Sequence, residues 1–210
     1  MTNPDAIDVF IASELNASAG LLQQMAIDAT APIAQAASLL ADCLNAGHKI
    51  LIFGNGGSAA DAQHFAAELV GRYYDERRGL AALALTTDPS ILTAISNDYG
   101  FDQVFARQVE ALTQAGDVLV GISTSGRSAN VIAGLQTGRA LGGRTIAILG
   151  SNITGLGGAA DLIISVPSTY TPRIQEAHAV IIHILCDLIE KSVGPSNGTD
   201  PAVPPTEAGK

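Results

Sequence analysis

The chain has 210 residues, a length that suits one domain with enough residues to bury a sizeable core. It carries 20 acidic and 11 basic residues, for a formal net charge of −9. This charge argues against a surface that neutralises nucleic-acid phosphates or anionic lipids, although it is compatible with a local basic pocket. Any anionic ligand must therefore be held by local geometry.

The cysteines and the N-terminus indicate the compartment. Cys43 and Cys186 lie in apolar helical patterns without a CxxC or Cys–His spacing, which indicates buried, reduced thiols. The first residues lack the basic start and apolar core of a signal peptide, and no apolar run reaches the roughly 18 residues of a membrane span. We expect a cytoplasmic protein without nucleic-acid or membrane partners.

The N-terminal region predicts helices over residues 5–17 and 19–46, both rich in Ala and Leu. In the second, Thr30 is a candidate cap with Pro32 near the start of the following turn, so a kink or break is expected near Thr30. One apolar stripe follows that break, formed by Ile33, Ala36, Leu40 and Leu44.

From residue 49 onward, short apolar runs alternate with helical patterns. Strands are predicted at 49–54, 80–85, 117–123, 144–150 and 161–166, and helices near 58–72, 89–96, 102–114, 128–141 and 173–192. This alternation predicts an α/β fold with a five-stranded parallel sheet flanked by helices. We expect one domain over residues 1–193 and a disordered tail over 194–210, which has four prolines, three glycines and no aromatic residue.

The first predicted strand runs into a glycine-rich loop, "GNGG", at residues 54–57. Ligands collect at the carboxyl ends of parallel strands, and a bare backbone permits their close approach. The G-x-G-x-x-A spacing also fits a dinucleotide fold, but the acidic residue expected after the second strand is absent. A P-loop is excluded because its Lys-Ser/Thr pair is missing, and a tight turn without any ligand remains an alternative.

A second loop, "GISTSGRSAN" at 121–130, again joins a strand to a helix. It carries four hydroxyls in six residues, from Ser123, Thr124, Ser125 and Ser128. One serine would serve as an ordinary helix cap, whereas four exceed what capping requires. Hydroxyls and free N–H groups at a helix start form an anion cradle, so the loop predicts an anion site at the carboxyl edge of the sheet.

Two helices carry candidate reactive groups. His64 and Glu68 are four residues apart and leave the same helix face. Gln175 and His183 lie on one stripe of the C-terminal helix, where His183 is embedded in apolar residues and needs a partner. Each has a structural explanation by itself, either as a hydrogen-bonded core histidine or as a surface pair. The spacing does not show that the two helices meet.

Four segments together resemble the phosphoheptose isomerases of the sugar isomerase (SIS) superfamily. They are "GNGGSAADAQHFAAEL", "LTTDPSILTAISNDYGFDQVFARQVEAL", "GDVLVGISTSGRSANVI" and "RIQEAHAVIIHILCDLIE", and the resemblance runs from about residue 35 to residue 192. Members of this family interconvert sedoheptulose 7-phosphate and D-glycero-D-manno-heptose 7-phosphate through an enediol. A non-catalytic SIS binding module is the alternative; its signature would be loss of the carboxylate or the terminal imidazole, and this chain has both.

The resemblance implies that Glu68 and His183 transfer the protons, with one zinc ion per subunit. The implied zinc ligands are His64, Glu68, Gln175 and His183. The implied substrate contacts are Asn55, Gly56, Gly57, Ser58, Glu68, Asn97, Asp98, Ser123, Thr124, Ser125, Ser128 and Gln175. The family also implies a homotetramer with sites between subunits and the N-terminal helices in the contacts. One departure bears on substrate preference: Tyr170 and Pro172 occupy a segment where related enzymes often carry an aspartate.

Overall fold

A computed structural model describes residues 4–156 and 158–193. Its helices are α1 (Pro4–Asp28), α2 (Thr30–Asn45), α3 (Gly57–Val70), α4 (Pro89–Tyr99), α5 (Val104–Leu112), α6 (Ala129–Ala140) and α7 (Thr171–Val193). Its strands are β1 (Ile50–Gly54), β2 (Ala82–Ala84), β3 (Val118–Ser123), β4 (Arg144–Leu149) and β5 (Leu162–Ser165), and 3₁₀ turns cover Phe101–Gln103 and Thr154–Leu156. The tail expected at 194–210 lies outside the described residues.

The five strands pair in parallel in the order β2-β1-β3-β4-β5, which confirms the predicted α/β fold. The strands β1 and β3 are buried along their whole length, as their continuous apolar sequences require in a sheet covered on both faces. The chain turns one way from β1 to β2 and the other way from β3 onward. The carboxyl ends of β1 and β3 therefore form the switch point where such sheets bind ligands.

Two apolar layers cover the sheet. Side chains of α2, α3 and α7 pack against the strand residues of one face, including Ile52 and Val120. Side chains of α5 and α6 pack against the other face, where Phe53 stacks on Phe105 at 5.1 Å between ring centroids. Because successive side chains of a strand point to opposite faces of the sheet, each strand contributes side chains to both layers. The two cysteines are buried and unbridged, as predicted.

The N-terminal helices differ from the prediction in two details. α1 continues through residue 18, because Ser18 Oγ donates to Glu176 Oε2 at 2.8 Å and Arg173 Nη2 bonds Glu14 Oε2 at 2.9 Å, which fastens α1 along α7. The predicted break is present, but Ala29 is the capping position, and Thr30 is the first helical residue rather than the cap. The stripe that follows is buried as expected.

No helix in the described part of the chain combines the length and the apolarity that crossing a bilayer requires.

Candidate active site

The glycine loop brings the start of α3 close to β3. A Cβ on Gly54 would lie 2.8 Å from the Ile122 carbonyl oxygen and 2.8 Å from Ser58 Cβ, so only glycine permits this approach. Gly56 caps α3 at a φ of 56°, in the left-handed region. Ser58, one of the predicted substrate contacts, is buried beneath the loop.

The hydroxyl loop lies beside the glycine loop. Gly54 at the end of β1 is in register with Ile122 of β3, which places both loops at the carboxyl edge, as predicted. Ser123 Oγ and Ser128 Oγ lie 3.0 Å apart, and Ser125 Oγ accepts a hydrogen bond from the Arg127 N–H at 3.2 Å. Hydroxyl groups and main-chain donors thus converge where two strands end.

A polar cleft of about 280 Å³ opens at this edge. Its lining residues are Thr124, Ser125, Arg127, Ser151, Asn152, Ser168, Thr169 and Thr171. Arg127 supplies a positive charge that was not predicted from the sequence. Tyr170 and Pro172 flank Thr171 and are exposed at the start of α7. The cleft has the size and donors for a phosphate group.

The two loops are joined by a pair of side-chain amides. Asn55 Nδ2 donates to Asn130 Oδ1 at 2.8 Å, and Asn130 Nδ2 donates back to Asn55 Oδ1 at 2.9 Å. Asn130 Oδ1 also accepts from the Val131 N–H, at the start of α6. Asn130 was missed from sequence because a buried amide near a helix start has no distinctive spacing.

The candidate catalytic side chains meet between α3 and α7. His64 Nε2 lies 3.1 Å from Glu68 Oε1, with side chains 41% and 25% exposed. The His183 ring stands edge-on to His64, with centroids 5.1 Å apart, and the Tyr73 ring lies 6.0 Å from His183 on another side. A carboxylate and two imidazoles therefore share one partly open site.

Gln175 lies at the glycine loop, in the first turns of α7. Its side-chain amide lies directly against Gly57, where any Cβ would collide with it. Asn97 and Asp98 lie exposed on α4, where Asn97 Nδ2 donates to Asp98 Oδ1 at 2.8 Å. The structure thus groups His64, Glu68 and His183, sets Gln175 over the glycine loop, and leaves Asn97 and Asp98 on an exposed helix.

The donor types of the four implied zinc ligands suit zinc, which binds imidazole nitrogen and carboxylate oxygen. His64 Nε2 and Glu68 Oε1 are 3.1 Å apart, near the roughly 3.4 Å between two ligands of a tetrahedral zinc ion. Within residues 4–156 and 158–193, however, no three His, Cys, Asp or Glu side chains are arranged as a metal-binding group. The four side chains therefore have donor atoms that suit zinc, and one pair of them, His64 and Glu68, also has a suitable separation.

Asp61 lies one turn before His64 on α3 and was not predicted. Burial raises the pKa of its carboxyl group, and the nearby His64 opposes this shift. Its Oδ2 is buried without a hydrogen-bond partner. The signal available in the sequence was its i, i+3 spacing to His64.

Comparison with known proteins identifies the family. Residues 15–150 match the SIS domain. The chain is 57% identical over 185 residues to a phosphoheptose isomerase from Geobacter sulfurreducens, covering 88% of this chain and 98% of that protein. The solved phosphoheptose isomerase of Neisseria gonorrhoeae superposes with a TM-score of 0.82 at 47% identity, covering 87% and 98% of the two chains. That of Francisella tularensis gives 0.83 at 38% identity, covering 91% and 100%. The chain belongs to the phosphoheptose isomerase family of SIS-domain proteins.

Proposed function

We propose that the protein is a ketose–aldose isomerase that converts sedoheptulose 7-phosphate to D-glycero-D-manno-heptose 7-phosphate. The observation that carries the proposal is the meeting of Glu68, His64 and His183 between α3 and α7. The chain also has a hydroxyl-rich cleft at the carboxyl edge of its sheet, and it is 57% identical to a phosphoheptose isomerase. The cleft suits the phosphate end of the substrate, and the carboxylate and imidazoles suit the reacting end.

The reaction needs two proton-transfer groups. Loss of a C1 proton and protonation of the C2 carbonyl oxygen produce a 1,2-enediol. Loss of the O1 proton and protonation of C2 then produce the aldose. Glu68 works at one of the two carbons and His183 moves the second proton; both side chains are reachable from solvent. The enediol oxygens carry developing charge, which neighbouring donors stabilise.

The substrate contacts follow from the two loops. The phosphate is held by Ser58, Ser123, Ser125 and Ser128 together with the bare N–H groups of Gly56 and Gly57. Asn55, Thr124 and Asp98 line the sugar, and Asn97 and Gln175 complete the site. Because Asn97 and Asp98 lie on an exposed face of α4, they also suit a site that a neighbouring subunit completes.

One zinc ion per subunit belongs to the proposal, held by His64, Glu68, Gln175 and His183. When bound, zinc would polarise the substrate carbonyl as a Lewis acid. Purified protein should contain about one equivalent per chain by elemental analysis, and His64→Gln should lower that content. A protein fully active at a zinc content near zero would remove the ion from the proposal.

A homotetramer is also proposed. α1 presents three large exposed apolar side chains, Val9, Phe10 and Leu15, which are suited to burial against other copies of the chain. Light scattering at micromolar chain concentration should give four times the chain mass of 21.4 kDa. A monomeric mass in an active preparation would refute this part.

The reaction is tested by incubating the enzyme with sedoheptulose 7-phosphate in deuterated water. Solvent deuterium at C2 of the aldose product is expected, because the enediol takes its C2 proton from a group that exchanges with solvent. Glu68→Gln serves as the control and should give almost no labelled product. Saturable binding of the sugar phosphate without product or label would instead identify a non-catalytic SIS binding module.

A further inference from the structure

A buried ion pair joins α7 to the segment that follows α3. The Glu190 and Arg77 side chains are only 3% and 2% exposed, and Arg77 Nε donates to Glu190 Oε1 at 2.8 Å. Replacing a buried ion pair by apolar side chains often costs no stability, so stability alone is a weak explanation for this one. Its other contacts lead to the candidate active site.

Glu190 holds the main chain of that segment. Its two carboxylate oxygens accept hydrogen bonds from three consecutive N–H groups, those of Tyr73 at 3.1 Å, Tyr74 at 2.7 Å and Asp75 at 2.8 Å. All its polar partners are donors. These donors require a side chain with two acceptor oxygens. A glutamine amide has only one acceptor oxygen, and its NH₂ group is a donor that cannot accept from the N–H groups facing it.

Arg77 holds the end of α3. Its Nη2 donates to the carbonyl oxygen of Glu68 at 2.9 Å, and its Nη1 donates to that of Leu69 at 2.9 Å. Nη1 also lies 3.3 Å from the Gly71 carbonyl oxygen. Carbonyl groups in the last turn of a helix lack partners within the helix, and Arg77 supplies them. The main chain that carries Glu68 is thereby fixed.

The segment also carries Tyr73, whose ring lies 6.0 Å from that of His183 at 34° between planes. The Tyr73 N–H is one of the three groups held by Glu190. Displacement of the main chain at residues 73–75 would therefore move the Tyr73 ring away from the His183 imidazole.

We propose that Arg77, Glu190 and Tyr73 are positioning residues for the isomerase reaction. Arg77 fixes the main chain at Glu68, and Glu190 sets the Tyr73 ring against His183. This inference rests on the proposed function, since it assigns to these residues the placement of its two proton-transfer groups.

The main test compares Glu190→Gln with wild type. We expect kcat to fall by about 10–100-fold, the scale of loss when a catalytic group is misplaced by about 1 Å. KM should stay within about twofold, because the phosphate is held by different loops. Tyr73→Phe should retain kcat since it keeps the ring, whereas Tyr73→Leu should lose it. In the Glu190→Gln/Tyr73→Leu double variant the loss should be smaller than the product of the single losses.

Asp117→Asn is the matched control. Asp117 is 1% exposed and resembles Glu190 in its bonding: it accepts from Lys49 Nζ at 2.6 Å and from the N–H groups of Lys49 at 3.0 Å and Gln114 at 2.8 Å. It stands just before β3, and its bonded partners lie in the segments that precede β1 and β3 rather than on α3 or α7. This variant should melt at a lower temperature and keep wild-type kcat per folded molecule.

A second measurement does not depend on the substrate. The chain has four histidines, so ¹³C-histidine labelling resolves the His183 ring signals by NMR. Glu190→Gln and Tyr73→Leu should shift these signals, because the Tyr73 ring current no longer acts on His183, and Asp117→Asn should not. Unchanged His183 signals, or wild-type kcat in folded Glu190→Gln, would overturn the inference. If wild type fails to convert sedoheptulose 7-phosphate, the proposed function fails, and the NMR shifts still decide whether these residues position His183.

Discussion

The imidazole of His183 on α7 stands edge-on to that of His64 on α3, with ring centroids 5.1 Å apart and planes at 82°. Glu68 lies against His64 at 3.1 Å, so this contact brings together a carboxylate and two imidazoles from two distant parts of the chain. Packing of α3 and α7 on the same face of the sheet makes the meeting possible. The reactive groups thus depend on how these two helices are held.

Glu68→Gln and His183→Gln should each lower kcat by about 10²–10⁴-fold, the usual contribution of general acid–base catalysis. Each substitution keeps the approximate shape of the side chain and removes a usable proton-transfer group. KM should change little, because the phosphate is bound elsewhere. Steady-state kinetics and folded fraction are measured on the same samples.

Glu110→Gln is the control for this pair of variants. Glu110 is an exposed carboxylate on α5 that pairs with Arg107 at 2.8 Å. The Glu110→Gln protein should retain wild-type kcat and stability, since exposed ion pairs contribute little to the free energy of unfolding. Wild-type turnover in a folded Glu68→Gln protein would end the proposed mechanism.

Much of the fold followed from local patterns. Apolar runs of strand length alternate with helical patterns, which predicts a parallel sheet. In such a sheet every loop that leads from a strand to a helix lies at the carboxyl edge. The hydroxyl loop and the glycine loop could therefore be placed at the same edge of the sheet, whereas their adjacency depends on the strand order, which the structure supplies. The continuity of α1 was not predictable, because it depends on Ser18 and Glu14 meeting residues of α7.

The supports of the site were missed for a related reason. Residues 71–79, "GRYYDERRG", have the polarity of an exposed loop, and nothing local distinguishes the buried Arg77 from the exposed Arg78. One signal was available on α7, where His178, Ile182, Cys186 and Glu190 follow one another at intervals of four along a buried stripe. Polar residues on such a stripe need buried partners, which for Glu190 are Arg77 and the main chain.

Ser125→Ala should weaken substrate binding by about 1.5–3 kcal/mol, the contribution of one hydrogen bond to a charged group. Its hydroxyl lines the polar cleft and accepts from the Arg127 N–H. The effect should fall on KM and leave kcat nearly unchanged. Ser192→Ala, which removes an exposed hydroxyl bonded to the Leu188 carbonyl oxygen, should change neither quantity. An unaltered KM in Ser125→Ala would remove Ser125 from the phosphate site.

Gly57→Ala should lower kcat/KM while leaving the free energy of unfolding near its wild-type value. The added methyl group collides only with the amide end of Gln175, a flexible side chain that can move away. Activity should fall as far as in Gln175→Ala, and combining the two changes should add little. Both quantities are measured by kinetics and urea unfolding; wild-type kcat/KM in Gly57→Ala would show that Gln175 need not lie there.

Gly126→Ala is the contrasting variant. Gly126 has a φ of 63°, and its added methyl group would meet the main-chain carbonyl of Asn152, which cannot swing aside. A strained conformation of this kind costs about 1–3 kcal/mol, so this variant should lose stability as well as activity. If both glycine variants unfolded at the same urea concentration as wild type, the packing argument would be wrong.

The free energy of unfolding should fall as the pH is lowered from 6.5 to about 4, because of His178. This histidine is fully buried on α7, and neither ring nitrogen has a hydrogen bond of good geometry. Burial lowers its pKa from 6.5 to about 4, and the main chain at Leu149 opposes this shift only in part. Below pH 6.5 the unfolded chain binds a proton at His178 that the native protein does not, so protonation favours unfolding. The loss stops near pH 4, where the native histidine also becomes protonated, and it amounts to at most about 3 kcal/mol. His178→Leu should therefore flatten this part of the curve, measured by urea unfolding across the range at one chain concentration. Glu190 and Asp117 act in a separate, more acidic range, because their native pKa values lie below the ordinary 4.5 and 3.8 and their stabilisation is lost only as the pH falls through them. Equal slopes for wild type and His178→Leu between pH 6.5 and 4 would show that His178 is protonated in the native protein.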